Sequence, residues 1–143
     1  MEAHYRKIAA YFAGRQAVVA VYHHGSRLKG TFRQDSDFDI AILLEYGASL
    51  TSLERLAIGC DLESMVPFKF DLSVVDTTNL VLAKEVVAKG RCVFCASRKK
   101  RSCFEMLVFS MYAQLQYDRR EVLREYIHRR QKPVALPEGN DRL

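Results

Sequence analysis

Two short apolar runs separated by a polar segment constrain the fold of this chain more than any other feature. Residues 17–23 read Ala-Val-Val-Ala-Val-Tyr-His, and residues 40–44 read Ile-Ala-Ile-Leu-Leu. Runs of this length are typical of buried strands and are far shorter than the roughly 20 apolar residues that cross a membrane. We therefore predict interior strands over 17–23 and 38–44, and no membrane-spanning segment, in a chain long enough for about one domain.

The remaining patterns alternate between helical and strand-like. They predict helices over 3–13, 26–31, 52–64, 80–89 and 98–130, and further strands over 68–75 and 91–95, the latter at a sheet edge. This order indicates an α/β or α+β domain over 1–132 with a long C-terminal helix over 98–132, followed by a disordered tail over 133–143. Two helices are expected to bury their periodic apolar residues, which are Leu53, Leu56, Ala57 and Cys60 in the 52–64 helix, and Phe104, Leu107, Val108, Met111, Leu115, Val122, Tyr126 and Ile127 in the last helix.

The positive charge lies in the last third of the chain. Residues 1–97 carry equal numbers of basic and acidic side chains, so the whole excess of +5 falls in 98–143, beginning with the run Arg98–Arg101. Such a segment suits an acidic protein surface or a nucleic acid, and a solvated helix face explains it equally well.

Cysteine spacing gives little support for a metal or redox site. Cys92 and Cys95 have Cys-x-x-Cys spacing, but no second pair follows. We expect buried, reduced thiols in a short strand rather than zinc ligands.

A Gly-Ser turn follows the first predicted strand directly. Gly25-Ser26 stands where that strand would pass into the short helix over 26–31. The first amides of a helix are unpaired and carry partial positive charge, glycine allows close approach to the backbone, and the serine hydroxyl adds a donor. The turn is therefore a candidate phosphate cradle, although most Gly-Ser pairs are simple turns.

Three aspartates are the candidate catalytic and metal-binding residues. Asp37 and Asp39 point to one face of the second strand because side chains at i and i+2 do so, and Asp71 falls within the third strand. Carboxylates placed together repel one another unless a cation lies among them, and hard divalent cations prefer oxygen ligands. Three carboxylates beside a phosphate cradle can hold two metal ions for transfer at the α-phosphate of a nucleoside triphosphate, although exposed strand ends remain an alternative explanation.

At these residues the chain resembles the polymerase-beta nucleotidyltransferase superfamily. Its signature is reproduced by Gly25-Ser26, ten intervening residues and Asp37-Phe38-Asp39. The local sequence around this motif is similar to that of the minimal nucleotidyltransferase (MNT) branch. The likeness continues through Phe70-Asp71-Leu72 and the segment 82–91 into the last helix. It implies a mixed sheet of about four strands flanked by helices.

The resemblance also implies a function, as an antitoxin paired with a HEPN-type toxin ribonuclease. Members of this branch transfer AMP from ATP to a toxin tyrosine with magnesium. By this likeness Gly25 and Ser26 hold the triphosphate, while Asp37, Asp39 and Asp71 bind two Mg²⁺ ions, with Asp71 also serving as or assisting the base.

Other assignments stay open at this point. Arg27, Lys29 and Arg33 are placed to neutralise phosphate charge, or are ordinary loop cations, and His23-His24 either packs or touches the nucleotide. The function itself has two competitors, which are an antitoxin or adaptor acting by stoichiometric binding and a small-molecule nucleotidyltransferase. We expect a cytoplasmic protein in a complex with its toxin and no strong binding to duplex DNA.

Overall fold

The computed structural model describes residues 1–25 and 37–131. These ranges form helix α1 (Glu2–Ala13), strands β1 (Val18–His24) and β2 (Phe38–Leu44), helix α2 (Ser52–Met65), strand β3 (Phe70–Val74), helix α3 (Leu80–Lys89), strand β4 (Arg91–Cys95) and helix α4 (Arg98–Gln131). The predicted helix over 26–31 and the tail over 133–143 lie outside the described residues.

The four strands form one mixed sheet in the order β3-β2-β1-β4. β1 is antiparallel to both of its neighbours, and β2 is parallel to β3. The two apolar runs thus occupy the two central strands, where nearly every side chain is buried. The predicted mixed sheet, with 91–95 at one edge, is confirmed.

Helices cover both faces of the sheet, so the core has two layers. One layer, between the sheet and α1 with α2, includes Ile8, Phe12, Ile40 and Ile58. The other, between the sheet and α3 with α4, includes Ala41, Leu43, Val86 and Val108. Because strand side chains alternate, each face of β2 supplies one of these layers.

Local signals fix where two helices begin. Thr51 and Glu54 form a capping box at α2, in which each side chain accepts a hydrogen bond from the other's backbone N–H at 3.1 Å. Asn79 Oδ1 accepts from the Leu82 amide at 3.2 Å at the start of α3. Both starts agree with the prediction.

The predicted buried face of α2 is wrong. Leu53 is 75% exposed and Leu56 63%, and Ala57 and Cys60 are also exposed. The helix instead buries Ile58 and Leu62 against the sheet. Two interleaved sets of apolar residues follow a helical period in this segment, and only the docking direction of the helix decides between them.

The predicted apolar face of α4 is largely uncovered. Only Val108 is buried, while Phe104 and Leu115 are half-buried. The periodic residues Leu107, Met111, Val122, Tyr126 and Ile127 are exposed. A helix of 34 residues is about 50 Å long, far longer than the strands it packs on, so its outer half extends beyond the sheet. None of the described helices combines the length and apolar character needed to cross a membrane.

Candidate active site

The candidate site lies where β1 ends beside the start of β2. Gly25, directly after β1, has a positive φ of 89°. A Cβ at this position would overlap the carboxylate of Asp39, with the Asp39 Cγ only 2.9 Å away. Glycine is therefore required here for two reasons, the left-handed backbone and the space that the carboxylate occupies.

Asp39 and Asp71 form the close acidic pair of the site. The two residues are directly opposite in the parallel β2–β3 register. Burial raises the pKa of the half-buried Asp39 carboxyl above its ordinary value, and the charges of Asp71 and Asp37, together with a hydrogen bond to Asp71, raise it further. The fold thus holds a carboxylate where its ionised form is disfavoured unless a positive charge is supplied.

Asp37 stands at the entry to β2 and is exposed. It shares with Asp39 the face of β2 that continues into Ala41 and Leu43, and it influences Asp39 through its charge. In the two described ranges no three His, Cys, Asp or Glu side chains form a ready-made metal centre. The structure therefore places the three aspartates on one side of the sheet, with Asp39 and Asp71 in the closest association.

Asp71 lies within a strand, as predicted, and its side chain is exposed, so this carboxylate is not desolvated inside the sheet. The reason is topological, because in the described chain β3 lies at the edge of the sheet and pairs only with β2. Solvent reaches Asp71 from the open side, whereas its neighbour Asp39 is half-buried.

His23 belongs to the core. It is fully buried, its Nδ1 lies 2.7 Å from the Tyr5 hydroxyl, and its ring stacks on Phe38 at 3.8 Å. Phe38 is the residue between Asp37 and Asp39, so this stack supports the strand from the face opposite the carboxylates. Sequence reasoning missed Tyr5, because no local pattern connects α1 with the end of β1.

His24 is the neighbour of the site that the sequence left undecided. It is half-buried and lies directly opposite Asp39 in the antiparallel β1–β2 register. Paired residues in such a register point to the same face, so His24 lies on the carboxylate side of the sheet and His23 on the other.

The basic run Arg98–Arg101 is partly used within the chain. Lys100 pairs with Glu45 at 2.8 Å, and Arg101 pairs with Glu105 at 3.0 Å. Glu105 also accepts a hydrogen bond from the Tyr22 hydroxyl at 2.7 Å. These contacts tie the start of α4 to the sheet.

The thiols agree with a structural role for the Cys-x-x-Cys segment. Cys92 and Cys95 are free and half-buried in β4, and Cys92 Sγ donates to the Phe94 carbonyl at 3.2 Å. Burial raises the pKa of the Cys92 thiol, which disfavours the thiolate that a metal or redox site needs.

The remaining expected phosphate contacts fall in the segment between the two central strands. Ser26, Arg27, Lys29 and Arg33 lie outside the described residues. Gly25 directly precedes that segment and is the expected triphosphate contact that falls within the described residues.

Residues 6–99 match the family described as Polymerase beta, Nucleotidyltransferase. The chain belongs to this nucleotidyltransferase family. The matched range contains the Gly-Ser turn and all three aspartates, so the resemblance noted from those residues is confirmed, and with it the expectation of a nucleotidyltransferase enzyme.

Individual relatives include proteins of the MNT antitoxin branch. The chain is 28% identical over 103 residues, 72% of each sequence, to the protein adenylyltransferase MntA of Shewanella oneidensis. A crystal structure of a toxin–antitoxin pair with AMP-PNP superposes with a TM-score of 0.67 at 25% identity, covering 88% of this chain and 98% of that one. The same fold occurs in the complex of a tri-AMPylated Shewanella oneidensis HEPN toxin with MNT antitoxin. That match has a TM-score of 0.66 at 22% identity and covers 89% of this chain and 99% of the other.

Proposed function

We propose that this protein is an antitoxin that transfers AMP from ATP to a tyrosine of a HEPN-type toxin in the cytoplasm. The observation that carries the proposal is the half-buried Asp39 carboxylate, held against Asp71 and under a glycine that leaves it room. A protein that acts by binding alone has no need to keep this unfavourable group. The adenylyltransferase relative and the AMP-PNP complex support the choice of donor.

The donor set fits magnesium. Asp37, Asp39 and Asp71 offer only carboxylate oxygens. Burial, and after it the neighbouring like charges, raises the pKa of Asp39, and a bound divalent cation would lower it. We assign these three residues as ligands of two Mg²⁺ ions. When bound, such ions neutralise the triphosphate and the charge that develops during transfer.

The chain's own residues orient the substrates. Gly25, which leaves room for the Asp39 carboxylate, would contact the triphosphate through its backbone, and Ser26, Arg27 and Lys29 complete the triphosphate contacts in this proposal. The tyrosine hydroxyl oxygen forms a bond to the α-phosphorus, the bond from that phosphorus to the bridging oxygen breaks, and pyrophosphate leaves. Asp71 accepts the hydroxyl proton and, being exposed, returns it to water.

The first test removes the carboxylate charges. With α-labelled ATP, Mg²⁺ and the HEPN-type protein encoded by the adjacent gene, we expect the wild type to label that protein and the double variant Asp37→Ala, Asp39→Ala to leave it unlabelled. Asp61→Asn is the matched control, because this exposed α2 aspartate accepts a hydrogen bond from Tyr11 that an asparagine oxygen can keep.

A second measurement does not depend on activity. Mg²⁺ should raise the melting temperature of the wild type and not that of Asp39→Asn, which should itself melt higher than the wild type in EDTA because a crowded charge is gone. Labelling by the double variant at the wild-type rate would refute the site. Rescue of toxin-inhibited growth by the double variant would instead support neutralisation by binding.

A further inference from the structure

A groove between α2 and the outer edge of β3 adjoins the candidate site. It has a volume of about 400 Å³ and is lined by residues that include Arg55, Leu56, Gly59, Glu63 and Asp71. Asp71 therefore belongs both to this groove and, through its pairing with Asp39, to the acidic site. A molecule lying in the groove would reach the carboxylates at one point along its length.

The helix that forms one wall has a glycine in its interior. In the middle of a helix glycine is less favourable than alanine, yet a Cβ at Gly59 would meet only Leu72 Cδ1, at an ordinary 3.8 Å. Packing against the protein therefore does not require glycine at this position. A larger side chain would fill the groove, so the glycine keeps that space available.

The other wall is the outer edge of β3. Among the described strands, β3 has a neighbour on the β2 side only. On its open side Glu63 Oε1 accepts from the Phe70 amide at 3.3 Å, and Arg55 Nη1 donates to the Leu72 carbonyl at 3.5 Å. Both hydrogen bonds are long and come from exposed side chains, so an added peptide backbone can replace them.

We propose that this groove binds an extended segment of the acceptor protein along the edge of β3, with the acceptor hydroxyl delivered to Asp71. The proposal rests on the proposed function, which requires a polypeptide acceptor. Exposed Leu56 and the open space over Gly59 would receive an apolar side chain of the segment, while Arg55 and Glu63 supply a donor and an acceptor for its polar groups. The alternative occupant of the groove is the base of the nucleotide, and the test below distinguishes it from an acceptor segment.

Two substitutions outside the acidic site test the groove. Gly59→Leu fills it, and Leu56→Arg changes its apolar wall. With the HEPN-type protein encoded by the adjacent gene as acceptor, we expect each variant to raise KM for the acceptor about tenfold or more, while kcat and KM for ATP stay within about twofold. Gly59→Ala, whose added Cβ makes only an ordinary contact, should behave as the wild type.

The matched control is Leu53→Arg, on the same helix and outside the groove lining. It should keep wild-type constants, and because Leu56 is already exposed, Leu56→Arg remains informative even if Gly59→Leu does not fold. Wild-type acceptor KM in Leu56→Arg overturns the groove assignment, and so does a raised KM for ATP with acceptor KM unchanged. Failure of the wild type to label the acceptor refutes the proposed function itself.

Discussion

At the scale of single residues, the site depends on a carboxylate that the fold keeps in an unfavourable place. Asp39 is crowded by Gly25 on one side and Asp71 on the other. The crowding arises because the end of β1 lies beside the start of β2. The antiparallel pairing of these two strands brings Gly25 and Asp39 together, although they are far apart in the chain. Keeping a carboxylate half-buried beside another carboxylate destabilises the fold, and such destabilising groups are typical of active sites, where the charge takes part in binding or catalysis.

Gly25→Ala should have two separate effects, one on stability through backbone strain and one on activity through displacement of the Asp39 carboxylate. We expect a loss of about 1–2 kcal/mol in the free energy of unfolding from the left-handed backbone, together with loss of AMP transfer because the new Cβ displaces the Asp39 carboxylate. Urea unfolding and the labelling assay measure the two effects.

Gly47→Ala is the control for this prediction. Gly47 also has a positive φ, of 83°, but nothing lies within 4 Å of its Cβ position. It should lose a similar free energy and keep full activity. Equal activity in the two alanine variants would contradict the role assigned to Gly25.

At the scale of elements, α4 has an inner half that packs and an outer half that does not. Val108 is buried between α4 and the sheet, and the Tyr22–Glu105 hydrogen bond joins the same part of the helix to β1. Further along, Val122, Leu123 and Tyr126 are exposed in one stretch. Exposed apolar stretches of this kind are typical of surfaces that are covered in a complex.

Two valines of α4 should differ sharply in their effect on stability. Val108→Ala should lower the free energy of unfolding by about 1–3 kcal/mol, since it leaves a cavity in a closed layer. Val122→Ala, at a side chain 68% exposed, should change it by less than about 0.5 kcal/mol. Chemical denaturation of the isolated protein measures both, and equal losses would show that the outer half is packed in solution.

At the scale of the whole molecule, three tyrosine hydroxyls connect separate elements of the fold. Tyr5 joins α1 to β1 through His23, Tyr11 joins α1 to α2 through Asp61, and Tyr22 joins β1 to α4 through Glu105. Burial raises the pKa of all three phenols, and the hydrogen bonds to Asp61 and Glu105 add to the effect for Tyr11 and Tyr22. The folded state therefore holds these protons more tightly than the unfolded chain.

Stability should consequently fall in alkali. Because the folded pKa values exceed the ordinary value of 10.0, the contribution is complete below that pH and is lost as the pH rises above it. Urea unfolding between about pH 8 and pH 11 should show this loss, with a shallower slope for Tyr22→Phe. Tyr46→Phe, at a fully exposed tyrosine, should keep the wild-type slope. A flat stability curve for the wild type over this range would contradict the prediction.

Local sequence patterns predict most of the described elements and the candidate chemistry. Strand β2 and helix α3 have the predicted bounds, because continuous apolar runs, Asn caps and a terminating Gly90 act through local geometry. The Gly-Ser turn and the spacing to Asp37 and Asp39 led to the nucleotidyltransferase family for the same reason, since the motif is contiguous in the chain.

Which side chains face one another depends on how the elements pack. Local periodicity could not choose between Leu56 and Ile58 as the buried side of α2, nor place Asp71 at an open edge beside a half-buried Asp39. Nor could it connect Tyr5 with His23, or reveal that Gly25 and the Asp39 carboxylate compete for the same space. These relations depend on strand order and on the direction in which each helix docks, and both are settled by packing between segments far apart in the chain.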